Sequence, residues 1–548
     1  MHRTHRTHTT NGDTVNASWS ELVTSALLGA ERRTPPGGST TALLDAAAAE
    51  TVRRRAGLRP APAAPRPEPA AEDGRPPLPA AAEARLRALL AGRSGGTGAA
   101  GGRRGSAPDL AELLPQWLTL ACAAGYRAPS DLVPALLDAA RARTDLRQDA
   151  LAFGGPLARW LARLNPDWKF ALRGANRSSA PRCASSRDDN HASVHGQASV
   201  RELWQEGLFA ERAALLTELR RRSPGEGREL LASTWPSERA EDRLMLLDTL
   251  REGLSPADEP FLEQALADRS RNVRATAAEL LATLPGSALA ARMADRATAH
   301  VTLAAAPDTA YLTVDAPQTC DAAMRRDGVV PTPPQGHGER SWWLGQLVAA
   351  APLAVWPSRL GGRTPAQITA LPVADGWARD LRAAWCRAAV RQRDAAWARA
   401  LLGAPRDQPA EGPGDPAKLL TVLPEDERAR WAGQFIEAHG LSDAFRLLGV
   451  CAVPWARPLG RAVVDALQIA RDAGNYPWSF SGVMGLAERC LDPAETERLT
   501  PLAAVPEEPA DGSPGAGAYW AEAFQRLVAT LRLRAEIRTE LGVPAAAG

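Results

Sequence analysis

Lysine is almost missing from this 548-residue chain. Of its 65 basic residues only Lys169 and Lys418 are lysines, and the rest are arginines. A Walker-type phosphate loop needs a lysine directly after glycine to reach the phosphates. Lys169 follows Trp168 and Lys418 follows Ala417, so that motif is absent, and any ATP hydrolysis linked to this chain belongs to a partner. Tyrosine (4) and phenylalanine (8) are scarce while tryptophan (16) outnumbers them together, so the large packing anchors are mostly indoles. The six cysteines, Cys122, Cys183, Cys320, Cys386, Cys451 and Cys490, form no CxxC pair. Their scatter fits reduced, mostly buried thiols in a cytoplasmic protein. No uninterrupted apolar run reaches about 18 residues, which predicts no membrane span. The basic N-terminus lacks an apolar segment of the kind a signal peptide carries. Acidic residues (63) nearly balance basic ones for a net charge of +2, so no global positive field points to nucleic acid.

What is present is helical periodicity broken by Pro/Gly-rich stretches. Residues 1–16 are polar and read as a disordered tail. An N-terminal helical region is expected over 17–173. It opens with a capping box, Ser18 with Glu21, and is interrupted by Pro/Ala-rich (59–79) and Gly-rich (92–107) linkers. Residues 174–198 are polar and aperiodic, a loop or insertion. Over 199–297 leucine stripes recur: Leu215, Leu216 and Leu219; Leu246, Leu247, Leu250 and Leu254; Phe261, Leu262, Ala265 and Leu266; and Val273, Ala277, Leu280, Leu281 and Leu284. Helices of this kind bury their stripes by stacking on neighbours. A Thr/Val-containing β-hairpin is expected near 299–315, within a Pro/Gly-broken stretch 298–338. Helices resume over 339–402, a second linker covers 403–416, and a C-terminal helical region runs over 417–548. The fold class predicted is therefore mainly α: a helical-repeat array with a small β-hairpin excursion.

The stretch 261–285, "FLEQALADRSRNVRATAAELLATLP", resembles a HEAT repeat, with Asp268 five residues before Val273-Arg274 and Ala277, Leu280 and Leu281 at the small and leucine positions. The resemblance implies that Asp268 and Arg274 cross-link adjacent turns while the apolar positions fill the core. The chain as a whole, through "LVTSALLGAERRTPP", "LARLNPDWKFAL", "LWQEGLFAER" and "GERSWWLGQLVAAAPLAVW", resembles a bacterial family known as domain-of-unknown-function family 5691. No activity is implied. Members tend to be encoded near MoxR-type AAA+ ATPases, von Willebrand factor A-domain proteins and SWIM zinc-finger proteins. The resemblance thus implies a shared complex with an AAA+ ATPase or A-domain protein. The 174–198 stretch is longer and more polar than the family pattern.

Motifs that could carry chemistry fail on context. Gly96–Gly101 matches G-x-G-x-x-G, but a dinucleotide site needs a strand before it and a helix opening on it. Gly92–Gly96 matches G-x-S-x-G without the strand-to-helix turn of a nucleophile elbow. His2, His5 and His8 lie in the polar tail, and His191 and His195 lie in a loop-like stretch, without the rigid support that metal ligation needs. Arginine clusters at 53–55, 103–104 and 220–222 suit a basic nucleic-acid surface, but also suit helix C-termini. Trp342, Trp343 and Trp356 surround one apolar helix, and Trp478 sits in "NYPWSF". Such indoles read first as core. Trp342, Trp343 and Trp478 are also the candidates for a partner groove, because tryptophan is enriched in interface hot spots. The reading is a non-enzymatic cytoplasmic scaffold for protein partners, with no catalytic, cofactor or metal residue assigned. A nucleic-acid-binding HEAT-like protein and an enzyme whose site assembles from distant residues are the alternatives.

Overall fold

Ser18 and Glu21 stand three residues apart ahead of an apolar stripe, and they start the first helix. In the computed structural model the Glu21 carboxylate accepts from the Ser18 N–H (2.9 Å) and the Ser18 hydroxyl accepts from the Glu21 N–H (3.4 Å). The structure describes residues 17–29, 32, 34–35, 37–56, 67–91, 108–173, 200–305, 310–407, 414–505 and 515–544. The expected tail 1–16, the Gly-rich linker 92–107 and the whole 174–198 loop therefore lie outside the described residues. So do both glycine motifs, His2, His5, His8, His191, His195, Cys183 and Arg103-Arg104. The chain divides into two units, Met1–Ala70 and Ala71–Gly548, and the division falls inside the Pro/Ala-rich stretch. The first unit holds helices Trp19–Leu28 and Thr40–Ala56, with Leu22 and Leu43 buried and the Arg54 guanidinium 4.7 Å from the Trp19 ring.

The second unit begins with four helices, Ala80–Ala91, Leu110–Ala123, Val133–Ala142 and Arg147–Leu164. Leu86, Leu89, Leu114, Leu136 and the edge-on pair Trp117–Phe153 (5.5 Å) fill their core. The long last helix, Ala516–Glu540, adds Ile537 to that core, and Arg85 pairs with Glu536 (2.9 Å) and Glu540 (2.7 Å). Higher up the same helix, Trp520, Phe524, Leu527 and Leu531 belong to the main core. The last helix thus ties the two cores together.

Residues 209–300 run through six helices: Phe209–Arg222 packs on Pro224–Thr234, and Arg271–Leu281 packs on both Ala240–Asp248 and Glu259–Ala265 before the chain enters Ala288–His300. The residues before alternate helices, Leu208, Arg239 and Ser270, are 31 positions apart, and those before the intervening helical turns, Ser223, Ser255 and Ser287, are 32 apart. Leu216, Leu246, Leu247, Leu250, Leu262, Val273, Ala277, Leu280 and Leu281 are all buried, which is what their stripes require. Leu215, Leu219, Leu254 and Leu284 are only partly buried.

Ion pairs join these turns. Arg212 pairs with Glu238 and Arg243 with Asp268 (2.8 Å), while the same guanidiniums lie over Trp204 (4.5 Å) and Trp235 (5.8 Å). Asp268 therefore reaches a residue of the helix Ala240–Asp248. Arg274 does not: it donates back to the carbonyls of Asp268 (2.7 Å) and Arg269 (3.0 Å) in its own loop. The reason is readable in the chain. Glu238 and Asp268 follow their arginines by 26 and 25 residues. The equivalent positions after Arg274 are Ala299 and His300, which offer no carboxylate.

The hairpin follows at once, Val301–Ala305 against Ala310–Val314, antiparallel with Leu303 opposite Leu312. The Leu312 N–H donates to Pro372 O (2.8 Å), which holds the hairpin on the body. Beyond it, Glu339–Ala350 packs on Ala378–Gln392, and Glu425–His439 on Arg457–Asp472. Trp356, Trp385 and Trp397 meet in the core between them, with ring centroids 5.8 and 5.6 Å apart. Among the described residues the chain is mainly helical with one small sheet, and no helix is long and apolar enough to cross a membrane.

Candidate partner-binding site

The helix Arg457–Asp472 has to stop and turn before the next can start. Gly474, at φ 70°, allows the reversal, and its N–H donates to Arg471 O (2.9 Å). Pro477 then opens a short 3-10 turn, Pro477–Phe480, that runs into the helix Ser481–Cys490. The turn is pinned from below: the buried Trp520 indole N–H donates to Asn475 O (2.6 Å), and Phe480 packs on the Trp520 ring (6.0 Å). With Pro477 and Phe480 facing inward, Tyr476 and Trp478 are left on the outer side. Their rings stack at 4.0 Å, and Tyr519 of the last helix meets Trp478 edge-on at 5.5 Å.

The result is a cavity of about 490 Å³ between Ser481–Cys490 and Ala516–Glu540, walled by Trp478, Tyr519, Pro477 and Met484, with Glu522 and Arg526 at its polar side. Its two helices are clamped together. Arg526 pairs with Glu488 (2.7 Å), and the buried Arg534 donates to Leu491 O (2.6 Å) and Glu488 O (3.2 Å). Burial pushes the Arg534 guanidinium down to about 10, and its partners are the carbonyls that end the shorter helix. Glu522 is exposed and makes no ion pair among the described residues. Phe445, 44% exposed, has its ring against Gly482 closely enough that a Cβ there would sit 2.9 Å from it.

The three tryptophans singled out from sequence go to three environments. Trp478 is 56% exposed and walls the cavity. Trp343 is 6% exposed and belongs to the main core, its indole donating to Pro331 O (2.8 Å). Trp342 is half-buried, donates to Val330 O (2.9 Å), and borders a different cavity. Tyr519 and Glu522, which complete the groove, carry no local sequence signal, because only the return of the last helix brings them beside Trp478.

Most arginines of the described clusters meet a carboxylate of the chain. Arg220 is fully buried in a bidentate pair with the equally buried Asp258 (2.8 and 3.0 Å), and its other donors reach the carbonyls of Pro224, Glu252 and Gly253. Arg221 and Arg222 pair with Glu218, and Arg53 and Arg54 with Glu50. Burial raises the thiols, Cys122 to about 12 and Cys386 and Cys451 to about 11, so these are protonated thiols rather than nucleophiles at neutral pH. Among the described residues no group of three or more His, Cys, Asp or Glu could hold a metal ion.

A family model described as a family of unknown function (DUF5691) matches residues 21–541. The chain belongs to that family. No curated protein sequence matches it. The matched span takes in the helices of residues 209–300, the hairpin, the aromatic turn and the last helix, so the groove is built within the DUF5691 region.

Proposed function

We propose that this DUF5691 member is a non-enzymatic cytoplasmic scaffold. In this reading residues 209–300 are a HEAT-like stack, and the groove at Trp478 and Tyr519 takes a segment of a protein partner. The constant interval between helix starts and the stripes buried between neighbouring helices support the stacked-repeat reading. One observation carries the binding reading: Trp478 stands 56% exposed on a turn that buried Trp520 holds rigid. A large indole presented on a fixed support, with a second aromatic beside it, is what an interface anchor needs. The partner class is a MoxR-type AAA+ ATPase or its A-domain companion, on the family's genomic company. A nucleic-acid role draws less support, because most arginines of the described clusters already meet carboxylates of the chain itself.

The test is a tagged pull-down from the native host's lysate, with and without a non-hydrolysable ATP analogue, comparing the wild-type chain with Trp478→Ala. Recovery of an AAA+ ATPase or A-domain protein by the wild type, lost in the variant, is the expected result. Recovery that survives Trp478→Ala removes the groove from the reading. Nuclease-sensitive material in place of protein prey transfers the reading to nucleic acid.

A further inference from the structure

The partner groove leaves Trp342 unexplained. That indole borders a separate cavity of about 480 Å³ where the start of Glu339–Ala350 meets Ala378–Gln392. Two guanidiniums line it. Arg379 and Arg387 are about two turns apart on one helix, hence on one face. Arg387 donates to Gly345 O (3.1 Å), close enough that a Cβ at position 345 would sit 2.9 Å from its Nη2 and displace the guanidinium. Among the described residues neither arginine has a carboxylate partner, and Arg379 makes no hydrogen bond at all. This is the reverse of Arg212, Arg220, Arg243 and Arg292, each of which meets an acid.

The rest of the lining is aromatic and polar. His337 stands edge-on to Trp342 (6.1 Å), and its ring nitrogens make no hydrogen bond among the described residues. Ser341 adds a hydroxyl, and Asp380 is the one carboxylate on the wall. Two permanent cations and one anion leave the cavity positive. The volume falls within the range of small-molecule sites. Guanidinium forks match phosphate oxygens bidentately, and an indole wall suits a flat organic group.

We propose that this cavity binds a small phosphomonoester, with the dianionic phosphate held by Arg379 and Arg387 and the organic part against Trp342. The site is independent of the partner groove, and either can stand without the other.

The experiment is calorimetric titration of the full chain with adenosine monophosphate, ribose 5-phosphate and inorganic phosphate at matched ionic strength, with adenosine as the uncharged control. Phosphorus NMR line-broadening reads the same binding directly. Saturable binding of the phosphate esters, with adenosine at least about tenfold weaker, is expected. Arg379→Gln and Arg387→Gln should each weaken it by about tenfold or more, while Arg489→Gln, whose side chain faces Glu112 elsewhere (3.6 Å), leaves it unchanged. Arg387 packs on Gly345 and its loss could perturb folding. Arg379 is exposed, so its variant keeps the test decisive. Absence of binding at millimolar ester, equal affinity for adenosine, or unaltered affinity in Arg379→Gln would overturn the proposal.

Discussion

The helices of residues 209–300 and the aromatic turn at 476–480 treat large amphipathic side chains in opposite ways. In the first region Arg220 is wholly buried and each of its donors meets an oxygen of the chain. In the second Trp478 is more exposed than buried, and nearby Glu522 has no ion-pair partner among the described residues. The first arrangement closes on itself: a buried, fully satisfied network adds definition to the helices it joins but offers nothing to a partner. The second leaves apolar area and a charge available on a rigid support. Stability and recognition are therefore expected to separate cleanly by mutation.

The largest effect should come from opening the closed network. Asp258→Ala leaves the Arg220 guanidinium buried without its counter-charge and also removes the acceptor of the Ser255 N–H (3.0 Å). A loss of about 3–5 kcal/mol is expected, read as a lowered urea midpoint. The fraction still folded should bind partner as the wild type does. An unchanged midpoint would mean that the pair contributes nothing to stability.

Asp327 comes next. Burial works to raise its carboxyl, but Arg292 (2.8 Å) and Arg296 (2.7 Å) more than offset this and hold it below the usual value of 3.8. A depressed folded-state pKa contributes stability that is present above the unfolded value and lost as pH falls through the folded one. Unfolding free energy should thus decline below about pH 4, and Asp327→Asn should flatten that acid limb while costing on the order of 1–3 kcal/mol at neutral pH. An acid limb of the same slope in the variant would assign the loss to other carboxylates.

Trp478→Ala should do the opposite of Asp258→Ala. Its urea midpoint is expected to shift little, because much of the ring already faces water, whereas partner affinity should fall by about 2 kcal/mol, roughly thirtyfold. A stability loss as large as that of Asp258→Ala would make the indole a packing residue and end the contrast between the two regions.

Much of the architecture was legible because local rules decide it. The capping box at Ser18, the apolar start near 339, the hairpin between Val301 and Val314, and the long last helix follow from caps, periodicity and alternation. The 31-residue interval was also present in the chain, as Arg212, Arg243 and Arg274, but uneven leucine stripes mask it when helices are read one at a time. What could not be read was pairing at a distance. Nothing local links Arg220 to Asp258, 38 residues on. Nor does the sequence separate Trp342 from Trp343, since adjacent helical positions differ in burial only through what packs against them. Trp478 lies in a turn whose indole reads first as core, and only the last helix, some 40 residues further on, shows otherwise by placing Trp520 beneath the turn and Tyr519 beside it.

The smallest expected effect is the most informative about the groove itself. Glu522 is an exposed carboxylate at the edge of an aromatic wall, and the one nearby cation, Arg526, is engaged with Glu488. A partner segment carrying an arginine or lysine beside its apolar anchor would meet Glu522 in water, where such a pair contributes about 0.2–1 kcal/mol and acts mostly on the association rate. Glu522→Gln should therefore leave the urea midpoint unchanged, weaken binding by less than about fivefold, and flatten the dependence of the association rate on salt. Trp478→Ala should instead raise the dissociation rate, because desolvated anchors act on the bound state. If both variants change only dissociation, the groove recognises apolar surface alone, and the basic character assigned to its partner falls.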